Sequence, residues 1–174
     1  FEDNWTWAIG GGMFNTNSSI EVTNCAFREN TARGEGGGIA NDGDDPGSIS
    51  NCIFAGNIGY YGGGMANGND GVEVINCVFV GNVGTIGVGG LCSYGPVINC
   101  IAWGNTPIAF QIDAFSVEFS NVQGGYAGEG NIDADPCFVD IGFWDDNGTS
   151  ERARDDFYIS GDYHLKSQAG RWHV

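Results

Sequence analysis

The chain has 174 residues, with 31 Gly, 4 Pro and a hydrophobic content of 41%; 22 Asp plus Glu stand against 6 Lys plus Arg, for a net charge of −16. This is one domain's length. Glycine does not fall at every third position, which excludes a collagen helix, and the hydrophobic content excludes a disordered Gly-rich linker. The charge argues against nucleic acid and anionic membrane as partners, since both require a basic patch. It disfavours polyanionic polysaccharides too, and no stretch approaches the length of a membrane-spanning helix.

In chain order, residues 1–9 form an apolar segment carrying Phe1, Trp5, Trp7 and Ile9. Free termini are ordinarily polar, so this segment is expected either to cover the edge of the first coil or to pair with a neighbouring subunit. No signal peptide opens the sequence, which reads as mature, processed or cut from something longer.

Residues 10–129 read as repeats. Asn-Cys-x-Phe recurs as Asn24-Cys25-Ala26-Phe27, Asn51-Cys52-Ile53-Phe54 and Asn76-Cys77-Val78-Phe79, then in worn form at Asn99-Cys100 and Asn121-Val122. A second Asn follows six residues after each leading one, at Asn30, Asn57, Asn82 and Asn105. Glycine runs end at Met13, Ile39, Met65 and Leu91, each 26 residues apart. Short β-branched runs bounded by Gly, Asn and Asp read as strands and turns. A period of this size indicates stacked repeats. The fold expected is all-β, a right-handed parallel β-helix (β-solenoid) of about four to five coils with an irregular C-terminal capping segment.

Alternation assigns Val22, Ile49, Val74 and Val97 to one inward register, the four repeat cysteines to the next, and Phe27, Phe54 and Phe79 to a third. The Asn between the Val and Cys registers suits a sharp bend, because Asn tolerates left-handed backbone. Stacked cysteines on adjacent rungs have Cβ vectors unsuited to a disulfide, so buried reduced thiols are expected. Cys92 and Cys137 lie off that ladder, and a bond between them stays open.

Asp42, Asp44 and Asp45 on one coil and Asp70 on the next fall in corresponding loops. They are the candidate metal ligands, for Ca²⁺, which takes oxygen donors; solvated turns are the competing reading. No organic cofactor is expected. A second acidic region holds Asp133, Asp135, Asp140, Asp145, Asp146, Asp155 and Asp156. No catalytic residue is assigned. Only Arg28 and Arg33 lie in the repeats, and His164 and His173 both lie in the tail. Trp5, Trp7, Trp103, Trp144 and Trp172 flank the repeats, where aromatic rings most often cap a core. Asn147-Gly148-Thr149 fits a glycosylation sequon.

The tail, residues 130–174, reads as an acidic capping segment. Its runs from Gly130 to Asp140 and from Gly161 to Ser167, with the Asn-Cys-x-Phe repeats, resemble secreted bacterial right-handed parallel β-helix repeat proteins of the planctomycete type. The resemblance implies a large extracellular or cell-surface protein of a kind mostly without known activity, usually continuing into an anchoring region. The function expected is a non-catalytic structural solenoid that self-associates end to end, into filaments or a surface layer. The competing class is a carbohydrate-binding or carbohydrate-active solenoid with a polysaccharide partner. Paired carboxylates in an aromatic groove would favour the latter.

Overall fold

A computed structural model describes residues 1–107, 110–148 and 156–166. The described residues contain strands and turns and no helix. They form a β-solenoid of about four turns. The coils stack into four parallel sheets, one of four short strands and three of five. The first sheet stacks Trp5–Thr6, Thr31–Ala32, Ile58–Gly59 and Val83–Gly84. The second stacks Met13–Thr16, Ile39–Asp42, Met65–Asn67, Leu91–Ser93 and Ile112–Ala114. The third stacks Ile20–Thr23, Gly47–Ser50, Val72–Ile75, Val97–Ile98 and Val117–Glu118. The fourth stacks Ala26–Arg28, Ile53–Ala55, Val78–Val80, Ile101–Trp103 and Asn121–Val122.

The inward registers are those expected. Met65 pairs with Ile39 and Leu91, Val74 with Ile49 and Val97, and Phe79 with Phe54. All belong to one buried core. The rings of Phe27, Phe54 and Phe79 lie nearly parallel in a stack, with centroids 5.1 and 4.7 Å apart.

Two left-handed corners set the shape of each coil. At the corner between the third and fourth sheets, Asn24, Asn51, Asn76 and Asn99 have φ of 54, 54, 54 and 52°. On the fifth coil the same place is held by Phe119, φ 51°. The fifth repeat is therefore Phe119-Ser120, and Asn121-Val122 is not its Asn-Cys. Asn121 pairs with Ile101, and Val122 pairs with Ala102 in continuation of the Phe column.

The second corner lies between the fourth and first sheets. Gly56, Gly81 and Gly104 hold it with φ of 63, 62 and 67°, but Asp3 and Glu29 hold it on the earlier coils, at 52 and 55°. The Glu29 carboxyl is pushed above the usual carboxylate range, first by burial and then by Glu2 and Asp3, with Arg28 opposing. Such a group binds its proton more tightly when folded. Its favourable contribution is thus present below the unfolded-state pKa and is lost as pH rises through the folded one. Glu29→Gln is expected to melt like the wild type near pH 4 and above it at neutral pH, the crossover lying above the ordinary Glu value of about 4.3. A constant offset between the two melting curves from acid to neutral pH would contradict this.

The N-terminal residues belong to the solenoid. Phe1 stacks on Phe27 at 4.6 Å, and Asn4 donates from its backbone and side chain to Asn30 Oδ1. Phe1 and Asn4 thus repeat Phe27 and Asn30 with the period of 26, a signal in the sequence that the apolar reading of residues 1–9 missed.

The tail does two things. Tyr126 to Ala134 crosses the last coil. There Tyr126 Oη donates to the Ala114 carbonyl, and Asn131 Oδ1 accepts the Ser120 N–H. From Cys137 on, the described chain folds back along the outer side of the fourth sheet. The antiparallel hairpin Phe143–Asp145 and Phe157–Ile159 brings Trp144 and Tyr158 onto Ala55 and Val80. Trp144 Nε1 donates to the Gly81 carbonyl at 2.8 Å. A Cβ on Gly56 or Gly81 would lie 2.4 Å from the Tyr158 ring, so glycine at the corner admits the strap.

Candidate functional site

The buried polar groups of the repeat are spent on one another. Asn30, Asn57, Asn82 and Asn105 are fully buried. The Oδ1 atoms of Asn57, Asn82 and Asn105 each accept the backbone N–H and side-chain Nδ2 of the preceding rung. Their Nδ2 atoms also donate to the carbonyls of Phe27, Phe54 and Phe79. Gln111 Oε1 ends the ladder by accepting both Asn105 donors. A second buried ladder runs from Asn15 through Asn41 and Asn67 to Ser93.

The cysteine column is unbridged; all six cysteines are free, including Cys92 and Cys137. It is also more polar than an apolar filler. The single S–H of Cys52, of Cys77 and of Cys100 lies within reach of two carbonyls, one two residues earlier and one on the previous coil. Ser120 takes the next place and accepts the Cys100 N–H at 3.0 Å. The Cys77 thiol is pushed up to about 12, with its hydrogen bond to Cys100 the largest cause. Cys52 is pushed up by its hydrogen bond to Cys77 and by burial. These thiols stay protonated at neutral pH and are poor nucleophiles.

Asp42, which ends the strand Ile39–Asp42, and Asp44, Asp45 and Asp70, which lie in the loops, are all exposed. Inside those loops the neighbouring amides do the bonding: Asn69 Nδ2 donates to the Asp45 carbonyl, and Asn69 Oδ1 accepts the Gly71 N–H. Among the described residues, no three His, Cys, Asp or Glu side chains come together as a metal site. We therefore expect Ca²⁺ and Mg²⁺ at equal ionic strength to shift the melting temperature equally, by screening. A Ca²⁺-specific rise, reversed by chelator and lost in Asp44→Asn/Asp45→Asn, would establish a Ca²⁺ site in these loops.

Of the second acidic region, Asp135, Asp140, Asp145 and Asp146 accept backbone N–H groups two residues on, as turn residues do. Asp155, Thr149 of the sequon, Trp172 and His173 lie outside the described residues. Trp103 and Trp144 pack between the strap and the fourth sheet, and Trp7 holds the Arg33 guanidinium at 4.0 Å. His164 pairs with Asp162 at 2.5 Å, and that hydrogen bond lowers the pKa of the exposed Asp162.

Asp135 and Asp140 share a concave surface with Trp103, Phe138 and Lys166, and a second such surface is formed by two carboxylates the sequence did not single out, Glu35 and Asp113. They line a groove of about 300 Å³ with Tyr61, Ala66, Asn67, Gly68, Cys92 and Tyr94. Its floor is the outward register of the second sheet, where Ala40, Ala66, Cys92 and Asp113 occupy successive rungs. One wall is the column just before the glycine turns, Glu35 and Tyr61. The Tyr61 ring lies over Gly87, where a Cβ would come within 2.2 Å. The other wall is Tyr94 with Phe115, ring centroids 5.5 Å apart. The Cys92 thiol on the floor is pushed up to about 11, by burial first and then by Asp113 and Glu35. Aligning the coils on their glycine runs would have placed Glu35 and Tyr61 in one column; the wall formed by Tyr94 required the structure.

Comparison of the chain with protein-family models, with curated proteins and with solved structures returns no match.

Proposed function

We propose that the protein is a non-catalytic extracellular structural solenoid that self-associates through its N-terminal face. The observation that carries this reading is the difference between its two ends. At the N-terminal end, Trp5–Thr6, Met13–Thr16 and Ile20–Thr23 are the outermost strands of their sheets. Phe1, Trp5, Trp7 and Phe14 around them are between 47 and 68% exposed. Such an edge is a template for pairing. At the other end Gln111 closes the Asn ladder, and Tyr126 and Asn131 cross the last coil.

An isologous pair is the expected form, because a two-fold contact of like edges closes on itself. In a longer chain with the same repeat, further coils would continue from the same edge. The non-catalytic role is supported by the ladders, whose amides and thiols are committed to neighbouring rungs. The extracellular placement rests on the resemblance to secreted bacterial β-helix repeat proteins.

Sedimentation velocity of the 174-residue chain tests the reading. A concentration-dependent dimer is expected, and Phe1→Lys/Phe14→Lys is expected to sediment as a monomer with an unchanged circular dichroism spectrum, since edge lysines block strand pairing. A monomer at every concentration, or a dimer indifferent to these substitutions, would overturn it.

A further inference from the structure

The geometry points to the groove on the second sheet as a binding site for an alkylammonium group, the lysine side chain of a basic peptide. This goes beyond the structural role, and it concerns the side of the solenoid instead of its end.

The argument starts from what the groove offers. Glu35 and Asp113 are exposed at its margins, and an ionised carboxylate only accepts hydrogen bonds. Asn67 offers nothing to a ligand: it is 2% exposed, its Nδ2 donates to the Asn69 carbonyl and Ser93 Oγ, and its Oδ1 accepts from Asn41. Among the described residues, no Lys, Arg or His lines the groove. The two carboxylates are therefore best met by a ligand that supplies donors and carries positive charge. The chain's net charge of −16 raises the local concentration of cations in the same sense.

The walls narrow the choice further. The rings of Tyr61 and Tyr94 are 39 and 55% exposed on opposite sides, and Phe115 extends the second wall. Aromatic faces attract ammonium and guanidinium groups. The floor of Ala66 and Cys92 is small and apolar, suited to a methylene stem that carries a charged head out to the carboxylates. The volume is at the lower end of small-ligand sites, the scale of one long side chain. A hydrated inorganic cation would use the carboxylates alone and leave the rings and the floor idle. A uronate polymer would meet two like charges.

Cys92 supplies the readout. The probe is acetyl-tetralysine-amide, and the measurement is alkylation of Cys92 resolved by peptide mass spectrometry, at physiological salt. Protection is taken as a ratio within each protein, because removing Glu35 and Asp113 also alters the thiol itself. A peptide at about four times its Kd is expected to slow Cys92 alkylation roughly fivefold, following 1 + [L]/Kd, and to leave Cys137 unchanged. Glu35→Gln/Asp113→Asn is expected to lose the protection. Glu21→Gln/Glu73→Gln, which removes the same charge from exposed positions on the third sheet, is expected to keep it. Equal loss in both variants would reduce the effect to general charge, and no protection of Cys92 would remove the site. Protection by neutral cellotetraose but not by the peptide would overturn the proposal in favour of a sugar site. None of these outcomes bears on the sedimentation test, so the two readings fail separately.

Discussion

Asn57→Ala is expected to destabilise the protein by roughly 4 kcal/mol or more, because several buried polar groups lose partners at once and each costs about 1–3 kcal/mol. The Asn57 side chain makes four hydrogen bonds: it donates to Asn82 Oδ1 and the Phe27 carbonyl, and accepts from the Asn30 N–H and Asn30 Nδ2. Truncation leaves the Asn30 N–H without an acceptor and takes a donor from the Phe27 carbonyl, in a region sealed from water. Urea unfolding measures the loss. Asn76→Ala is the comparison. Asn76 sits on the outer ladder, exposed, with one donated bond to Asn51 and one accepted from Asn99. Its loss is expected to cost about 1–2 kcal/mol, chiefly the left-handed backbone that Asn tolerates and Ala does not. Asn57→Asp keeps the acceptor but turns a carboxylate toward Asn82 Oδ1. A buried carboxyl of this kind has a raised pKa in the folded state, so that variant should regain stability on acidification. Equal effects at positions 57 and 76 would show that the inner ladder is not what holds the coils.

Most of the fold was legible because a solenoid writes the same local problem once per coil. Asn-Cys-x-Phe marks a left-handed corner, a thiol facing carbonyls and a ring in the core, and the period of 26 between glycine runs fixes the register of Met13, Ile39, Met65 and Leu91. What the repeat could not show is where one residue replaces another at a fixed place. Phe119 stands where four coils have Asn, and Ser120 where four have Cys, so the fifth coil was read two residues late. The strap was illegible for a different reason. Tyr158 lies on glycines at positions 56 and 81 through long-range packing that no local pattern encodes. The groove falls between these cases. Its members come from four coils and two corners, so side chains far apart in sequence converge only once the coils are stacked. The acidic loops were conspicuous as a motif, but their aspartates stay in solvent while the adjacent amides turn inward to form the ladder.

The polar columns also give the solenoid its register. An apolar ladder of Ile, Met and Leu tolerates exchange among residues of similar volume. The amide ladder does not, because each Oδ1 receives two donors from the rung before it. Slipping one coil by a residue would orphan every buried Asn at the joint. The Phe stack and the Asn ladder lie three residues apart along each coil, at 27 and 30, 54 and 57, and 79 and 82. The hydrophobic and polar specifications of register therefore act on the same corner.

Gly63→Ala is expected to be among the most damaging changes at the glycine turns, with a loss beyond about 4 kcal/mol, the range reserved for specific structural failures. A Cβ at Gly63 would lie 2.4 Å from the Val83 carbonyl oxygen and 2.5 Å from the Gly89 carbonyl oxygen. Both neighbours are backbone of the next coil, so no side chain can rotate away. Relief requires the coils to part, and parting breaks the Gly63 N–H bond to the Val88 carbonyl and the adjoining Gly64 N–H bonds. In a solenoid each coil is stabilised by its neighbours, so a fault at this joint should uncouple the coils before it from those after it. Urea unfolding is then expected to split into two transitions, with hydrogen exchange slow on one side of the joint and fast on the other. Gly125→Ala separates this steric effect from backbone preference. Gly125 has φ of 81° with nothing within 4 Å of an added Cβ. Its substitution should cost only the left-handed penalty of about 1–2 kcal/mol, with a single transition. If Gly63→Ala cost no more than that and unfolded in one step, the close approach of the coils at this turn would not be what the glycines are there to allow.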